Sequence, residues 1–133
     1  MKCRIKGRFW KNEKTFPGLN DYIHELGRNP KSGAHMKRKY EKIACDALRA
    51  VSGRKKYVGA VTLHYRFAEP SNGQKRDHMN VFSFADKVIE DALQKCGVIQ
   101  DDSPVFVDGS RITHEFLYTD GTPWIEVEIE EVK

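Results

Sequence analysis

Cysteine is scarce in this sequence, and long hydrophobic runs are absent. Cys3, Cys45 and Cys96 are scattered, odd in number and outside any Cys-x-x-Cys pair, which argues against both a disulfide framework and a zinc cluster. We interpret them as small buried residues. No apolar run approaches the ~20 residues that span a bilayer, and the first ten residues have no signal-peptide hydrophobic core. These absences predict a cytoplasmic protein with no membrane partner.

Acidic residues are few in the first half of the chain. Residues 1–56 carry 16 Lys/Arg and 5 Asp/Glu, a net charge of +11, whereas residues 57–133 carry 7 and 14, a net charge of −7. This split suggests that one part holds a polyanion while the other gathers cations. The alternative is that two complementary halves pack together, since charge runs are usually solvated faces.

The alternation of apolar and polar residues predicts the fold. The 133 residues, 39% hydrophobic and 32% charged, fit one globular domain over 1–133. The predicted elements are a strand over 2–10, a loop over 15–33 with a helical turn at 21–26, a helix over 34–51, a strand over 57–67, a loop over 69–76, a helix over 80–96, and strands over 110–118 and 123–132 joined by a Thr-Asp-Gly turn. This order predicts a small α/β (α+β) domain with a mixed sheet and two main helices.

A polar stripe follows one side of the predicted helix over 80–96. At about 100° per residue, Asn80, Lys87 and Asp91 share this stripe, beside the apolar face. An acid, Asp77, precedes the helix, and a pair of acids follows it, Asp101 and Asp102. Mg²⁺ prefers one or two carboxylates together with waters and substrate phosphate, and such an ion activates water against a phosphodiester. The stripe is therefore a candidate metal site for phosphodiester hydrolysis.

Ordinary helix chemistry explains the same residues without a metal. Asp77 and Asn80 fit an acid and a cap at a helix N-terminus. Lys87 and Asp91 fit an i,i+4 ion pair, and Asp101-Asp102 before Ser-Pro fits a turn. The spacing alone leaves both interpretations open.

The stretch Arg-Asp-His-Met-Asn at 76–80, followed by Lys87, Asp-Ala-Leu, Gly97 and Asp-Asp, resembles the signature of the RusA-type Holliday-junction resolvases. The segment beginning Pro-Gly-Leu-Asn at residue 17 and the closing Pro-Trp-Ile-Glu-Val-Glu-Ile-Glu-Glu are also similar to phage and prophage members of that family. The resemblance covers nearly the whole chain.

The resemblance implies a Mg²⁺-dependent endonuclease, with Mn²⁺ as an alternative ion. A homodimer would nick opposing strands of a four-way DNA junction in recombination or repair, inside a bacterial or phage-infected cell. It further implies that Asp77 and Asp102 hold the metal, that Lys87 contacts the phosphate, and that Asp91 and Asp101 match its remaining acids. Asn80 and His78 take supporting places.

Met79 departs from the family signature, where a second acid is expected. A thioether is a poor ligand for Mg²⁺, which prefers hard oxygen. Asp91, Asp101 or the imidazole of His78 would have to compensate. Otherwise the protein binds junctions without cutting them. A third possibility is a nuclease for single strands or RNA, which would use the same chemistry of cations and carboxylates.

The basic half supplies the expected DNA contacts. These cations are Arg28, Lys31, Lys37, Arg38, Lys39, Arg54, Lys55, Lys56, Lys75 and Arg76. Each phosphate that they neutralise adds about 0.9 to the salt dependence of duplex binding. Trp10, Phe16 and Tyr22 are candidates for stacking on unpaired bases, although burial in the core is the commoner fate of aromatic side chains and is favoured for Trp10.

Overall fold

The computed structural model describes residues 1–6, 15–101 and 103–132. Its elements are β1 (Lys2–Lys6), α1 (Leu19–Arg28), α2 (Pro30–Ser52), β2 (Val61–Pro70), α3 (His78–Lys95), a 3₁₀ turn (Gly109–Arg111), β3 (Thr113–Thr119) and β4 (Trp124–Glu131). The predicted α+β class with a mixed sheet is confirmed. The part of the predicted first strand beyond residue 6 lies outside the described residues.

The four strands form one sheet in the order β1-β4-β2-β3. β4 is antiparallel to both of its neighbours, and β3 is parallel to β2. The two strands joined by the Thr-Asp-Gly turn do not pair with each other, because the chain between Thr119 and Trp124 passes the end of β2 and places β4 on its other side. The Thr-Asp-Gly turn begins this crossing instead of closing a two-stranded ribbon.

Residues 15–33, predicted to be mainly loop, contain a ten-residue helix, α1, and the start of α2. The Asn-Pro pair that indicated a loop is a helix start, since Asn29 is the N-cap of α2 and its side chain accepts a hydrogen bond from the Lys31 N–H at 2.8 Å. Pro30 takes the first helical position, where its missing N–H costs nothing. A second helix end was also predicted. Gly97 follows the C-cap of α3 and has a φ of 76°, as a glycine at the C′ position requires.

The helices cover one face of the sheet, and the core lies between them. Alternate residues of β1, β2 and β4 enter this core, including Cys3, Leu63, Tyr65 and Val127. The opposite face carries cross-strand ion pairs of Lys2 with Glu128, Arg4 with Glu126 and Arg66 with Glu115, and a His64–Glu130 hydrogen bond. Within the described ranges, no helix combines the length and apolar character needed to cross a membrane.

Two of the three cysteines are buried, as predicted. Cys3 and Cys45 lie in the core, and Cys96 is half-buried at the end of α3. Burial, with a smaller effect of the nearby Cys96 thiol, raises the pKa of Cys3 to about 11. Burial, with a smaller effect of the nearby Cys96 thiol, also raises the pKa of Cys45, whose Sγ donates to the Ala92 carbonyl at 3.6 Å. The three thiols, scattered in sequence, therefore converge between β1, α2 and α3.

Candidate functional site

Two segments that are sixty residues apart in the sequence meet at the start of α3. The Arg76 guanidinium donates to both carboxylate oxygens of Glu69 at 2.7 and 2.9 Å, and to the Phe16 carbonyl at 2.9 Å. The Asn80 carboxamide oxygen accepts from the Asn20 N–H at 2.7 Å. Arg76 and Asn80 therefore hold the Pro-Gly-Leu-Asn segment against the Arg-Asp-His-Met-Asn segment. The hydrogen bonds of these two side chains are all made within the protein.

Gly18 packs closely against Asn80 at this junction. A Cβ atom on Gly18 would lie 2.5 Å from Nδ2 of Asn80, closer than side chains approach in folded proteins. The Gly18 N–H also donates to an Asp21 carboxylate oxygen at 2.8 Å, which fixes the first turn of α1. The short glycine lets the two segments touch.

Asp77 is the N-cap of α3 and is exposed. Its Oδ1 accepts from the Asn80 N–H at 3.0 Å, so Asp77 is confirmed as a helix-capping acid, whereas Asn80, interpreted as the cap, is the third residue of the helix. This bond occupies one carboxylate oxygen, and the second, Oδ2, makes no hydrogen bond with the described residues. Asp77 can therefore both cap the helix and offer a hard oxygen to a ligand.

Asp91 lies far from Asp77 and has a different partner. Fourteen residues separate them on one helix, about 21 Å along its axis at about 1.5 Å per residue. The Asp91 carboxylate contacts the Lys37 ammonium at 2.7 Å, and Lys37 also approaches Glu41 at 3.6 Å. Burial alone would lower the pKa of Lys37, but the hydrogen bond and charge of Asp91, with Glu41, raise it. Asp91 joins α2 to α3.

Asp101 is at the opposite end of the sheet from Asp77. The Asp101 carboxylate accepts from the Ser103 N–H at 3.2 Å, and the Phe106 carbonyl accepts from the N–H of Val61, the first residue of β2, at 2.9 Å. Asp77 instead follows the last residue of that strand by a short loop. The structure thus does not bring Asp77, Asp91 and Asp101 together, and Asp102 lies outside the described residues.

The described residues of one chain do not fit a Mg²⁺ site. No group of three His, Cys, Asp or Glu side chains able to hold a metal occurs among residues 1–6, 15–101 and 103–132. At the start of α3, the Asp77 carboxylate is exposed, but the nearby carboxylates of Glu69 and Asp21 are bound to Arg76 and to the Gly18 N–H. The oxygen of Asn80 is taken by Asn20, and Met79 offers sulfur. The predicted metal cluster needs hard oxygen ligands from elsewhere.

His78 and Lys87 occupy separate parts of the exposed surface of α3. The His78 ring stacks on Phe116 with centroids 3.8 Å apart, and its Nε2 lies 2.8 Å from the Tyr118 hydroxyl. Lys87 forms no ion pair with any described residue, and it follows Asp77 by about 15 Å along the helix. Lys87 is thus available to an anion, whereas His78 packs the start of α3 against β3.

Some of the predicted DNA-binding cations are paired within the protein, and the others lie on its outer surface. Lys37 and Arg76 form internal ion pairs, and Arg28 contacts Glu25 at 3.4 Å. Lys75 is exposed, and its ammonium contacts the Pro70 and Ser71 carbonyls. The other cations lie on the outer side of α2 or in the following turn: Lys31, Arg38, Lys39, Arg54, Lys55 and Lys56.

A basic stripe, defined by Lys31, His35, Arg38, Lys42 and Arg49, follows the exposed side of α2. The spacing of four, three, four and seven residues keeps these side chains on one side of an α-helix. One acid, Asp46, shares the side and contacts Lys42 at 3.2 Å. Lys42 and Arg49 were not among the cations predicted to contact DNA, although the spacing places both on the same side of the helix as Lys31 and Arg38.

The candidate stacking residues are largely in the core. Phe16 is buried, with its ring centroid 4.8 Å from that of Tyr40. Tyr22 is half-buried beside Phe84 at 5.2 Å. Trp10 lies outside the described residues. The core interpretation is therefore confirmed for Phe16.

A scan of the chain against protein-family models and a search among curated proteins found no match.

Proposed function

We propose that this protein is a homodimeric, structure-selective DNA endonuclease of the RusA type, which binds branched DNA along α2. The basic stripe is the observation that carries the binding part of this proposal. Its cations lie along one side of α2, and Lys31, Arg38 and Arg49 make no ion pair with a described residue. A surface of this kind favours a polyanion over a small acidic ligand.

The length of the stripe suits a DNA backbone. From Lys31 to Arg49 the helix rises about 27 Å, at about 1.5 Å per residue. A duplex rises about 3.4 Å per base pair, so the stripe can follow phosphates over roughly eight base pairs. Arg54, Lys55 and Lys56 continue the positive surface beyond the end of α2.

The cleavage part of the proposal rests on the ordered motif and on Asp77. This carboxylate is exposed beside Lys75 and at the helix end nearest the Pro-Gly-Leu-Asn segment. When bound, Mg²⁺ would supply charge neutralisation and an activated water. The described residues of one chain do not complete a site for this ion. The residues that we propose to act in cleavage are therefore Asp77 and the cations that position DNA.

The direct test of binding compares two double variants. Arg38→Ala/Arg49→Ala removes two cations from the stripe, and Lys2→Ala/Arg111→Ala removes two exposed cations from elsewhere. We expect the first variant to weaken binding to an immobile four-way junction and to lower the salt slope by about 1.8, at about 0.9 per phosphate contact. Equal losses in both variants would contradict binding along α2.

Junction cleavage is measured with the same labelled DNA and Mg²⁺ or Mn²⁺. We expect symmetric nicks in opposing strands, and competition by unlabelled junction that exceeds competition by duplex or single-stranded DNA. Preferred competition by single strands or RNA would favour the third nuclease class. No nicks at any pH or with either ion would overturn the enzyme proposal.

Met79 favours a second candidate, a junction-binding protein that does not cut. Met79 is 54% exposed beside Asp77, at the position where the resemblance implies a second acid. For this candidate we expect a salt-dependent gel shift with the wild-type protein, without cleavage or a metal-dependent change of melting temperature. A gain of nicking in Met79→Asp would then identify the lost ligand.

A further inference from the structure

Two of the three thiols lie at one point of contact between α2 and α3. Cys45, in the second half of α2, has its Sγ 3.6 Å from the Ala92 carbonyl oxygen of α3. Cys96 is the C-cap of α3, and its backbone N–H donates to the same oxygen at 2.9 Å. Cys45 and Cys96 are therefore neighbours in space, although they belong to different helices.

The two helices approach closely at this point. A cysteine side chain has only two heavy atoms, so Cys45 can touch a backbone oxygen of α3 only where the helix axes are near each other. Small side chains permit this approach, since Ala44 of α2 and Ala92 of α3 are fully buried. A disulfide requires Cα atoms about 4.4–6.8 Å apart. Cys96 can adjust to this range at low cost, because it lies at a helix end, where the backbone opens most easily.

The thiols differ in their exposure to solvent. Cys3 is 1% exposed and Cys45 is 7% exposed, whereas Cys96 is half-buried. Burial is the main cause of the raised pKa of Cys3 and Cys45, and the nearby Cys96 thiol raises both further. Since the thiolate is the form that reacts with oxidants, Cys3 and Cys45 are protected. An oxidant from solvent therefore reaches Cys96 first.

We propose that Cys45 and Cys96 are a reversible oxidation site, which forms a disulfide between α2 and α3 when the protein meets a peroxide. The Cys96 sulfur attacks one oxygen of hydrogen peroxide, the O–O bond breaks, and Cys96 becomes a sulfenic acid as one water leaves. The Cys45 sulfur then attacks the Cys96 sulfur, the S–S bond forms, and the sulfenic oxygen leaves as a second water. Two thiols lose two electrons, and one peroxide gains them.

The disulfide would change the stability of the protein. It closes a loop that contains β2 and α3, and a cross-link of this kind stabilises mainly by restricting the unfolded chain. The helix that carries the basic stripe would then be bound covalently to α3. A dithiol reductant would restore the two thiols by exchange. Neither the bond nor its effect on stability depends on DNA binding or cleavage.

Peptide mapping tests the pairing. The wild type is treated with hydrogen peroxide, its remaining thiols are blocked, and it is digested without a reductant for mass spectrometry. We expect a linked peptide pair that contains Cys45 and Cys96, a fall from three free thiols to one, and recovery of all three with dithiothreitol. A Cys3–Cys96 link, a disulfide between two chains, or a Cys96 that is oxidised only to sulfinic acid would overturn the proposal.

Melting temperatures test the link between the helices. Cys45→Ala and Cys96→Ala each remove one partner, and Cys3→Ala is the matched control that leaves the pair intact. We expect oxidation to raise the melting temperature of the wild type and Cys3→Ala, and to leave the other two variants without a rise. An unchanged melting temperature of the oxidised wild type, or an equal rise in all four proteins, would contradict a cross-link between α2 and α3.

Discussion

The residues of the Arg-Asp-His-Met-Asn motif divide by the direction of their side chains. Arg76 and Asn80 face inward and hold the segment around Phe16 and Asn20. Asp77 faces outward at the helix start. The motif thus combines two positioning residues with one residue that is available to a ligand, which a pattern of residue types does not distinguish.

Asp77→Asn separates the two roles of this residue. Asparagine caps helices about as well as aspartate, whereas Asp77→Ala should cost about 1 kcal/mol of stability. We expect Asp77→Asn to keep the melting temperature, to abolish nicking, and to bind junctions as well as wild type or more tightly, because a charge that repels phosphate is removed. Normal cutting by Asp77→Asn would show that the catalytic assignment is wrong.

Cys3 makes stability depend on alkaline pH. Its pKa is raised from 9.0 to about 11, so above pH 9 the unfolded chain binds fewer protons than the folded one. The contribution of Cys3 to the free energy of unfolding is therefore fully present below pH 9. It is lost as the pH rises toward 11, and the loss is about 2 kcal/mol. We expect Cys3→Ala to unfold with a shallower pH dependence in urea titrations between pH 8 and 11. Parallel slopes in both proteins would contradict the assignment.

At the scale of elements, α2 has two basic sides with different partners. The outer side carries the basic stripe, and the inner side places Lys37 against Asp91 of α3. The sequence predicted this helix and most of its cations. It did not show that Lys37 is paired, because Asp91 is distant in sequence and the partner depends on how α2 crosses α3.

The ion pair between α2 and α3 predicts the behaviour of Asp91→Asn. Lys37 and Asp91 are each about three-quarters buried, and loss of a charged partner there should cost about 1–2 kcal/mol. We expect a lower melting temperature with unchanged junction affinity and cutting once the protein is folded. A normal melting temperature with lost cutting would restore Asp91 to the active site.

At the scale of the whole molecule, local patterns predicted the class of fold but not its connections. The helix at 78–95 and the strand at 124–131 were predicted within two residues of their observed ends, because their apolar periods are strong. The position of β4 was not predicted. Alternation in Ile125, Val127 and Ile129 shows that one side is buried, but it carries no information about which strands are neighbours.

Chain order sets a constraint on how this sheet is made. β4 lies between β1 and β2, yet it is the last of the four strands to leave a ribosome. Until it emerges, β1 has no strand to pair with, and the buried row of β2 lacks one neighbour. β1 therefore waits for a partner strand more than a hundred residues away in sequence, and β2 for one 56 to 70 residues away, which favours slow folding and chaperone engagement during synthesis.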